Sequence, residues 1–333
     1  MAEPTVPHLV RRVVEAVPGA VAVACADVEL TYRELGRRVE VMAAELVRRG
    51  VDRESLVGLA VSRSVDLVVA MLAVFEAGAA YVPIDPGYPS ARLGRILADA
   101  RPVLVLTDRA SVDTLPGGDV PYVCVEDLDL SGPPLGGTRA VPDGAAFVMY
   151  TSGSTGIPKG VCITHHNVMS CLPALVAAVG APGSRMLAGT SINFDVSVFE
   201  ILTTLSTGGT VEIVPDVPSL GERPLPLDGG VVSTVPSVFT QVVERLAANG
   251  SRPDTVVFGA DTLTAQLVAR VRELFPGVRV VNCYGQSETF YATCFTLPPT
   301  SPGTGRPTPP SDARSATSAP TCWDKGSRPS RPA

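Results

Sequence analysis

The chain has 333 residues, 45% of them hydrophobic and 18% charged, with 27 Lys and Arg against 33 Asp and Glu for a net charge of −6. That length holds about two packed domains or one large one, and the acidic balance excludes a general polyanion binder, so neither nucleic acid nor a membrane is an expected partner. The seven cysteines are an odd number, lie far apart and include no C-x-x-C pair; with only three histidines, this excludes a zinc site and a disulfide framework. The amino-terminal MAEPTVPHLVRR has no apolar signal stretch. The longest apolar run, 67–75, falls well short of the roughly 20 residues that a membrane span needs. A reducing, cytoplasmic location is the expectation.

Along the chain, a helix is predicted over 31–50, opened by a Thr31/Glu34 capping box and stopped by Gly50, with Leu35, Val39, Met42 and Leu46 on one face. A strand at 56–61, a helix at 64–76 and a strand at 80–84 follow. Then come a helix at 90–100 and strands at 103–107, 122–125 and 145–150. The alternation continues with a helix after His166, a helix over 196–206, a strand at 210–214 and a helix at 237–248. A strand at 255–258, a helix at 264–274 and a strand at 278–282 complete it. Short apolar strands alternating with amphipathic helices give an α/β class with parallel sheets and helices on their faces. The Pro- and Gly-rich stretch 131–143 is the expected internal boundary. Residues 298–333 hold no Val, Ile, Leu, Met, Phe or Tyr, so the folded core is expected to span 1–297 and the remainder to be a disordered tail.

The most informative segment follows the strand at 145–150: Tyr150, Thr151, Ser152, Gly153, Ser154, Thr155, Gly156, Ile157, Pro158, Lys159, Gly160. Its glycines leave backbone N–H groups free to converge on phosphate oxygens, the hydroxyls add donors and Lys159 adds a point charge. It is not a Walker A loop, because Pro158 and Gly160 stand where that motif needs Gly and a hydroxyl. His165 and His166 follow; with no further ligands at suitable spacing they read as polar residues at a helix start.

YTSGSTGIPKG resembles the signature loop of the adenylate-forming enzymes. LTYRELGRRV (30–39), FEAGAAYVPIDPGYPSARLGRIL (75–97), NFDVSVFEI (193–201) and NCYGQSETF (282–290) narrow the likeness to adenylation domains of non-ribosomal peptide synthetases, over about residues 8–307. The family implies the large amino-terminal core of such an enzyme, which condenses an amino acid carboxylate with ATP to give aminoacyl-AMP and pyrophosphate, with Mg²⁺ and a peptidyl carrier domain in trans as partners. The physical problem is repulsion, since an anionic carboxylate must approach an anionic triphosphate.

The resemblance also assigns residues. Thr151, Ser152, Gly153, Ser154, Thr155, Gly156, Lys159 and Gly160 would hold the β- and γ-phosphates, with Lys159, Ser287 and Glu288 acting on the reacting groups. Glu288 would bind Mg²⁺ and Ser287 the α-phosphate, while Asn282, Tyr284 and Gly285 would frame the adenine. Gln286 and Ser287 replace the family's Pro-Thr, a departure that keeps the hydroxyl. Asp195 would grip the substrate's α-ammonium, a role the resemblance favours over its alternative as a helix N-cap. Val196, Phe199, Thr234, Val257, Gly259, Cys283, Tyr291 and Ala292 would line the side-chain pocket, whose lack of further charge implies an uncharged amino acid.

The family's T-G-D segment and its lysine-bearing carboxy-terminal subdomain are not found after Gly305-Arg306-Pro307. A truncated or frameshifted domain with impaired turnover is therefore the expectation, with a non-catalytic ATP-binding or interaction module as the alternative. A serine hydrolase reading of the sequence around Ser287 fails, because no His follows it.

Overall fold

The computed structural model describes residues 3–152, 158–219 and 226–298. Its elements are α1 (Val6–Ala16), β1 (Val21–Cys25), β2 (Val28–Thr31), α2 (Tyr32–Arg48), β3 (Leu56–Ala60), α3 (Val65–Glu76) and β4 (Ala80–Pro83). They continue with α4 (Ser90–Ala100), β5 (Leu104–Thr107), β6 (Tyr122–Cys124), β7 (Ala145–Ser152), β8 (Pro158–Thr164), α5 (His165–Val179), β9 (Arg185–Ala188) and α6 (Asp195–Leu205). The last are β10 (Thr210–Ile213), β11 (Val231–Thr234), α7 (Pro236–Ala248), β12 (Thr255–Phe258), α8 (Ala265–Leu274), β13 (Arg279–Tyr284) and β14 (Thr293–Thr296).

Two sheets form. The smaller runs β6-β5-β3-β4-β7-β8 and the larger β14-β13-β12-β11-β9-β10-β1-β2. Their interiors are parallel as expected, but three edges are antiparallel: β8 against β7, β2 against β1, and β14 against β13. The α/β class holds, with mixed sheets in place of purely parallel ones. The stretch 131–143 does not divide the sheets, because it links β6 to β7 within the smaller one. The chain starts in the larger sheet, builds the smaller one from β3 to β8, and returns at β9.

Residues of both sheets, among them Val23 and Val211 of the larger and Val57, Tyr81 and Phe147 of the smaller, share one core with α2, α3, α5 and α6. Those helices are therefore the filling between two sheets. α3 shows why the sequence permits this: every residue from Leu67 to Glu76 is buried, and a helix apolar all round is stable only when covered all round. On the outer faces, α7 and α8 close a second core over the larger sheet, and Leu93, Ile96 and Leu97 of α4 close a third over the smaller.

His165 is not a polar helix opener. Its ring is buried at 1% exposure, edge-on to Phe75 at 5.2 Å, and burial pushes its pKa down to about 4. Thr164 caps α5 instead, and His166 is exposed beside Glu3 at 2.9 Å. Cys171 is disulfide-bonded, and Cys25, Cys124, Cys162, Cys283 and Cys294 are free. The tail expected from 298 onward lies, past Pro298, outside the described residues.

Candidate active site

Parallel strands present ligand sites at their carboxyl ends, and the candidate residues collect at one such edge. Thr234 closes β11, Val257 and Gly259 lie at the end of β12, and Asn282, Cys283 and Tyr284 end β13. The register matches Thr234 to Phe258 and Phe258 to Asn282, and the Gly259 N–H donates to the Thr234 carbonyl at 3.3 Å.

Asp195 meets this edge from α6. Phe194 holds the N-cap position and Asp195 is the first helical residue; its carboxylate accepts hydrogen bonds from its own N–H and that of Val196. Burial raises its pKa from 3.8 to about 6 in spite of those bonds, and Glu288 adds to the rise. A carboxylate in that state lacks a counter-charge. The loop ahead of it is braced across the two sheets, since Asn193 Nδ2 donates to Asp85 Oδ2 at 2.9 Å. One turn into α6, buried Glu200 accepts from Thr190 through both N–H and Oγ1, at 3.2 and 2.6 Å.

The expected pocket wall comes together in part. The rings of Phe199 and Tyr291 lie 5.4 Å apart; Thr234, Val257, Cys283 and Tyr291 are buried, and Val196, Gly259 and Ala292 are half-buried. Electrostatic contacts of Tyr291 with Cys283 and Asp195 place all three in one neighbourhood.

The turn after β13 is tightly built. A Cβ on Gly285 would sit 2.4 Å from the Phe290 carbonyl, so only glycine fits there without a backbone shift. Thr289 N–H donates to Gln286 O at 2.8 Å, and the Gln286 N–H to Thr289 Oγ1 at 3.1 Å. Phe290 has φ +58, unusual for a bulky residue. The bend sends its ring toward Phe147 of β7 and leaves Tyr291 facing Phe199. Ser287 is half-buried, and Tyr284 and Glu288 are exposed. Tyr284, at 60% exposure, offers an open ring face.

The segment expected to hold phosphates joins β7 to β8, in whose ladder Thr151 lies opposite Lys159 and Ser152 opposite Pro158. Residues 153–157, and with them Gly153, Ser154, Thr155 and Gly156, lie outside the described residues. Lys159 is exposed, and among the described residues no ion pair joins it to Glu288. Gly160 has a packing reason of its own, because a Cβ there would meet the Tyr150 ring at 3.2 Å. Tyr150 in turn donates to Asp99 at 2.6 Å.

Sequence reading missed Tyr81 and Glu200. The Tyr81 hydroxyl is buried with no hydrogen-bond partner; burial, and then the nearby Asp195, push its phenol up. Only its place in the AYVPIDP segment could have flagged it.

A sequence profile described as AMP-binding enzyme matches residues 10–315. The chain belongs to that family. This AMP-binding chain is 37% identical over 291 residues to a linear gramicidin synthase of Brevibacillus parabrevis, covering 85% of itself and 6% of the relative. It is 35% identical over 302 residues to AMB antimetabolite synthetase AmbB of Pseudomonas aeruginosa, covering 87% of itself and 24% of that protein. Among solved structures, the AMPPNP-bound form of the non-ribosomal peptide synthetase FmoA3 (S1046A) superposes with a TM-score of 0.77 at 27% identity, over 90% of this chain and 34% of that one. VinN shares the fold with a TM-score of 0.79 at 24% identity, over 88% of this chain and 78% of that one. The kinship with peptide-synthetase adenylation domains is thus borne out, and the chain spans only a small part of the curated relatives it matches. Among the described residues, no helix is long and apolar enough to cross a membrane.

Proposed function

We propose that this AMP-binding chain takes part in ATP-dependent activation of an amino acid carboxylate as aminoacyl-AMP, with release of pyrophosphate. The observation that carries this reading is Asp195: a carboxylate pushed up to about 6 by burial and a neighbouring acid, at the mouth of a largely apolar wall. A substrate α-ammonium is the counter-charge it lacks. The uncharged lining of Val196, Phe199, Thr234, Val257, Gly259, Cys283, Tyr291 and Ala292 supports an apolar or aromatic amino acid.

Glu288 is an exposed carboxylate at the same edge, and among the described residues no cluster of three or more metal-ligating side chains exists. That donor set fits Mg²⁺, which is commonly held by one or two carboxylates together with substrate phosphates. When bound, Mg²⁺ would supply charge neutralisation at the phosphates. In this reading Ser287 contacts the α-phosphate, while Asn282, Gly285 and the open face of Tyr284 receive the adenine. The hairpin from Thr151 to Gly160, with Lys159, holds the outer phosphates. The aminoacyl group then passes to a peptidyl carrier domain supplied in trans.

Calorimetric binding of ATP and amino acids, together with amino-acid-dependent ATP–pyrophosphate exchange, tests the reading. Wild type, Lys159→Ala and Asp195→Ala are compared. ATP binding lost in Lys159→Ala and amino acid binding lost in Asp195→Ala are expected. Amino acid binding unchanged in Asp195→Ala overturns the assignment of the pocket, and ATP binding without exchange for any amino acid favours the non-catalytic alternative.

A further inference from the structure

Cys283 and Cys294 face each other across the antiparallel pair β13/β14, as direct register partners with their Sγ atoms 2.7 Å apart. The ladder explains the closeness. The Leu297 N–H donates to the Val280 carbonyl, which makes that pair hydrogen-bonded. Counting inward along the register, hydrogen-bonded and open positions alternate, and Cys283/Cys294 falls on an open one. At open positions the Cα atoms approach to about 4.5 Å, inside the range of roughly 4.4–6.8 Å that a disulfide spans.

We propose that Cys283 and Cys294 are a reversible dithiol–disulfide couple that locks the turn carrying the candidate active site. The residues between them include Tyr284, Gly285, Ser287, Glu288, Tyr291 and Ala292, so closing the bridge ties off the segment assigned to adenine, metal and side-chain recognition. That functional consequence rests on the adenylation reading; the cross-link itself does not.

The two thiols have different parts. Cys283 is 5% exposed, and the Cys294 thiol against it, together with burial, holds its pKa far above the usual thiol range, so it is a poor first target. Cys294 is half-buried and belongs to β14, the edge strand of the larger sheet among the described residues. A peroxide therefore meets Cys294 first. Its sulfur is oxidised to the sulfenic acid as the O–O bond breaks and one water leaves. The Cys283 sulfur then forms the S–S bond while the S–O bond breaks, and its proton departs with the hydroxide as a second water. Two thiols and one peroxide give one disulfide and two waters.

The test uses the full chain treated with hydrogen peroxide, quenched with N-ethylmaleimide and mapped by mass spectrometry. Tryptic cleavage after Arg279 and, because Pro307 protects Arg306, next after Arg314 leaves both cysteines in one peptide, so the bridge reads out as a peptide lighter by two hydrogens that takes no alkylation at either cysteine. Chymotryptic cuts at Tyr284, Phe290 or Tyr291 should leave its halves joined until dithiothreitol is added. Cys162→Ser, which removes an exposed free cysteine, should leave the bridge intact, and Cys294→Ser should abolish it. Hydrogen exchange of the 285–292 amides should slow about tenfold on oxidation, as expected when local opening is suppressed. Separate alkylation of both cysteines after peroxide, over-oxidation of Cys294 beside a free Cys283 thiol, or a link from either to Cys171 overturns the proposal. Each of these outcomes is read without any activity assay, so a failed adenylation reading and a failed bridge are distinguishable.

Discussion

At the scale of single residues, the site carries two acids that the fold holds against their own ionisation. Asp195 rises from 3.8 to about 6 and Glu200 from 4.5 to about 8, each chiefly through burial. A raised folded-state pKa means that the neutral acid is favoured on folding. The contribution is full below the unfolded pKa and is lost as pH rises through the folded one. For Asp195 that loss, complete by neutral pH, amounts to no more than about 3 kcal/mol. Asp195→Asn should therefore raise the urea midpoint at about pH 8 and change it little at about pH 4, while removing amino acid binding; an equal shift at both pH values would contradict the linkage. Glu200→Gln keeps an acceptor for Thr190 and cannot ionise. It should flatten the stability profile of the wild type between about pH 6 and pH 9, as read from urea midpoints across that window. Gly285→Ala has no such compensation, because its Cβ would meet the Phe290 carbonyl at 2.4 Å. A loss of about 1–3 kcal/mol in unfolding free energy is expected, along with weakened ATP binding, since the same turn carries Ser287 and Glu288.

At the scale of elements, helices were legible wherever capping chemistry and periodicity agreed. The Thr31/Glu34 box is formed, with the Thr31 N–H donating to Glu34 Oε2 at 2.8 Å, and α3 is the apolar run seen in the sequence. The edge strand β6 was legible, but the antiparallel edge strands β8 and β14 were not. β8 reads PKGVCIT with a single buried position, and β14 reads TCFT with Phe295 at 59% exposure. A strand covered on one face or neither lacks the apolar run that marks a buried one. β1 and β2 escaped for another reason: two short strands joined by a tight turn, with Ala26 at φ +49, carry no Gly or Asn to announce it. The candidate site was legible through its motifs. Its bracing was not, because Asn193 to Asp85 and Glu200 to Thr190 are contacts of tertiary structure. A similar hidden contact joins α2 to the end of α6, where the buried Tyr32 hydroxyl donates to Gly209 O at 2.8 Å and lies 3.3 Å from Leu205 O. Tyr32→Phe should cost about 1–2 kcal/mol by leaving those carbonyls short of a donor, measurable as a lower denaturant midpoint with an unchanged slope.

At the scale of the whole molecule, the two sheets are joined through a shared filling, and this decides how the protein should unfold. α3 packs against β1 and β2 of the larger sheet as well as β3 and β4 of the smaller, and Val68, Ala70, Ala73, Val74 and Phe75 are fully buried. These apolar side chains belong to the core that residues of both sheets share. Loss of packing in α3 must therefore be felt on both sides, unlike loss in α4 or α8, whose cores serve one sheet each. Leu72, at 3% exposure, is the position to test. Leu72→Ala should cost about 2–5 kcal/mol, and native-state hydrogen exchange should quicken together in β4 and in β1. Leu93→Ala in α4 is the matched comparison, with faster exchange expected first in β4 and β5. Acceleration confined to one sheet in the Leu72 variant would mean that the sheets open as separate units. The candidate site would then depend on the larger sheet alone, and the Asp85 brace, which reaches it from the smaller sheet, would be dispensable for holding Asp195.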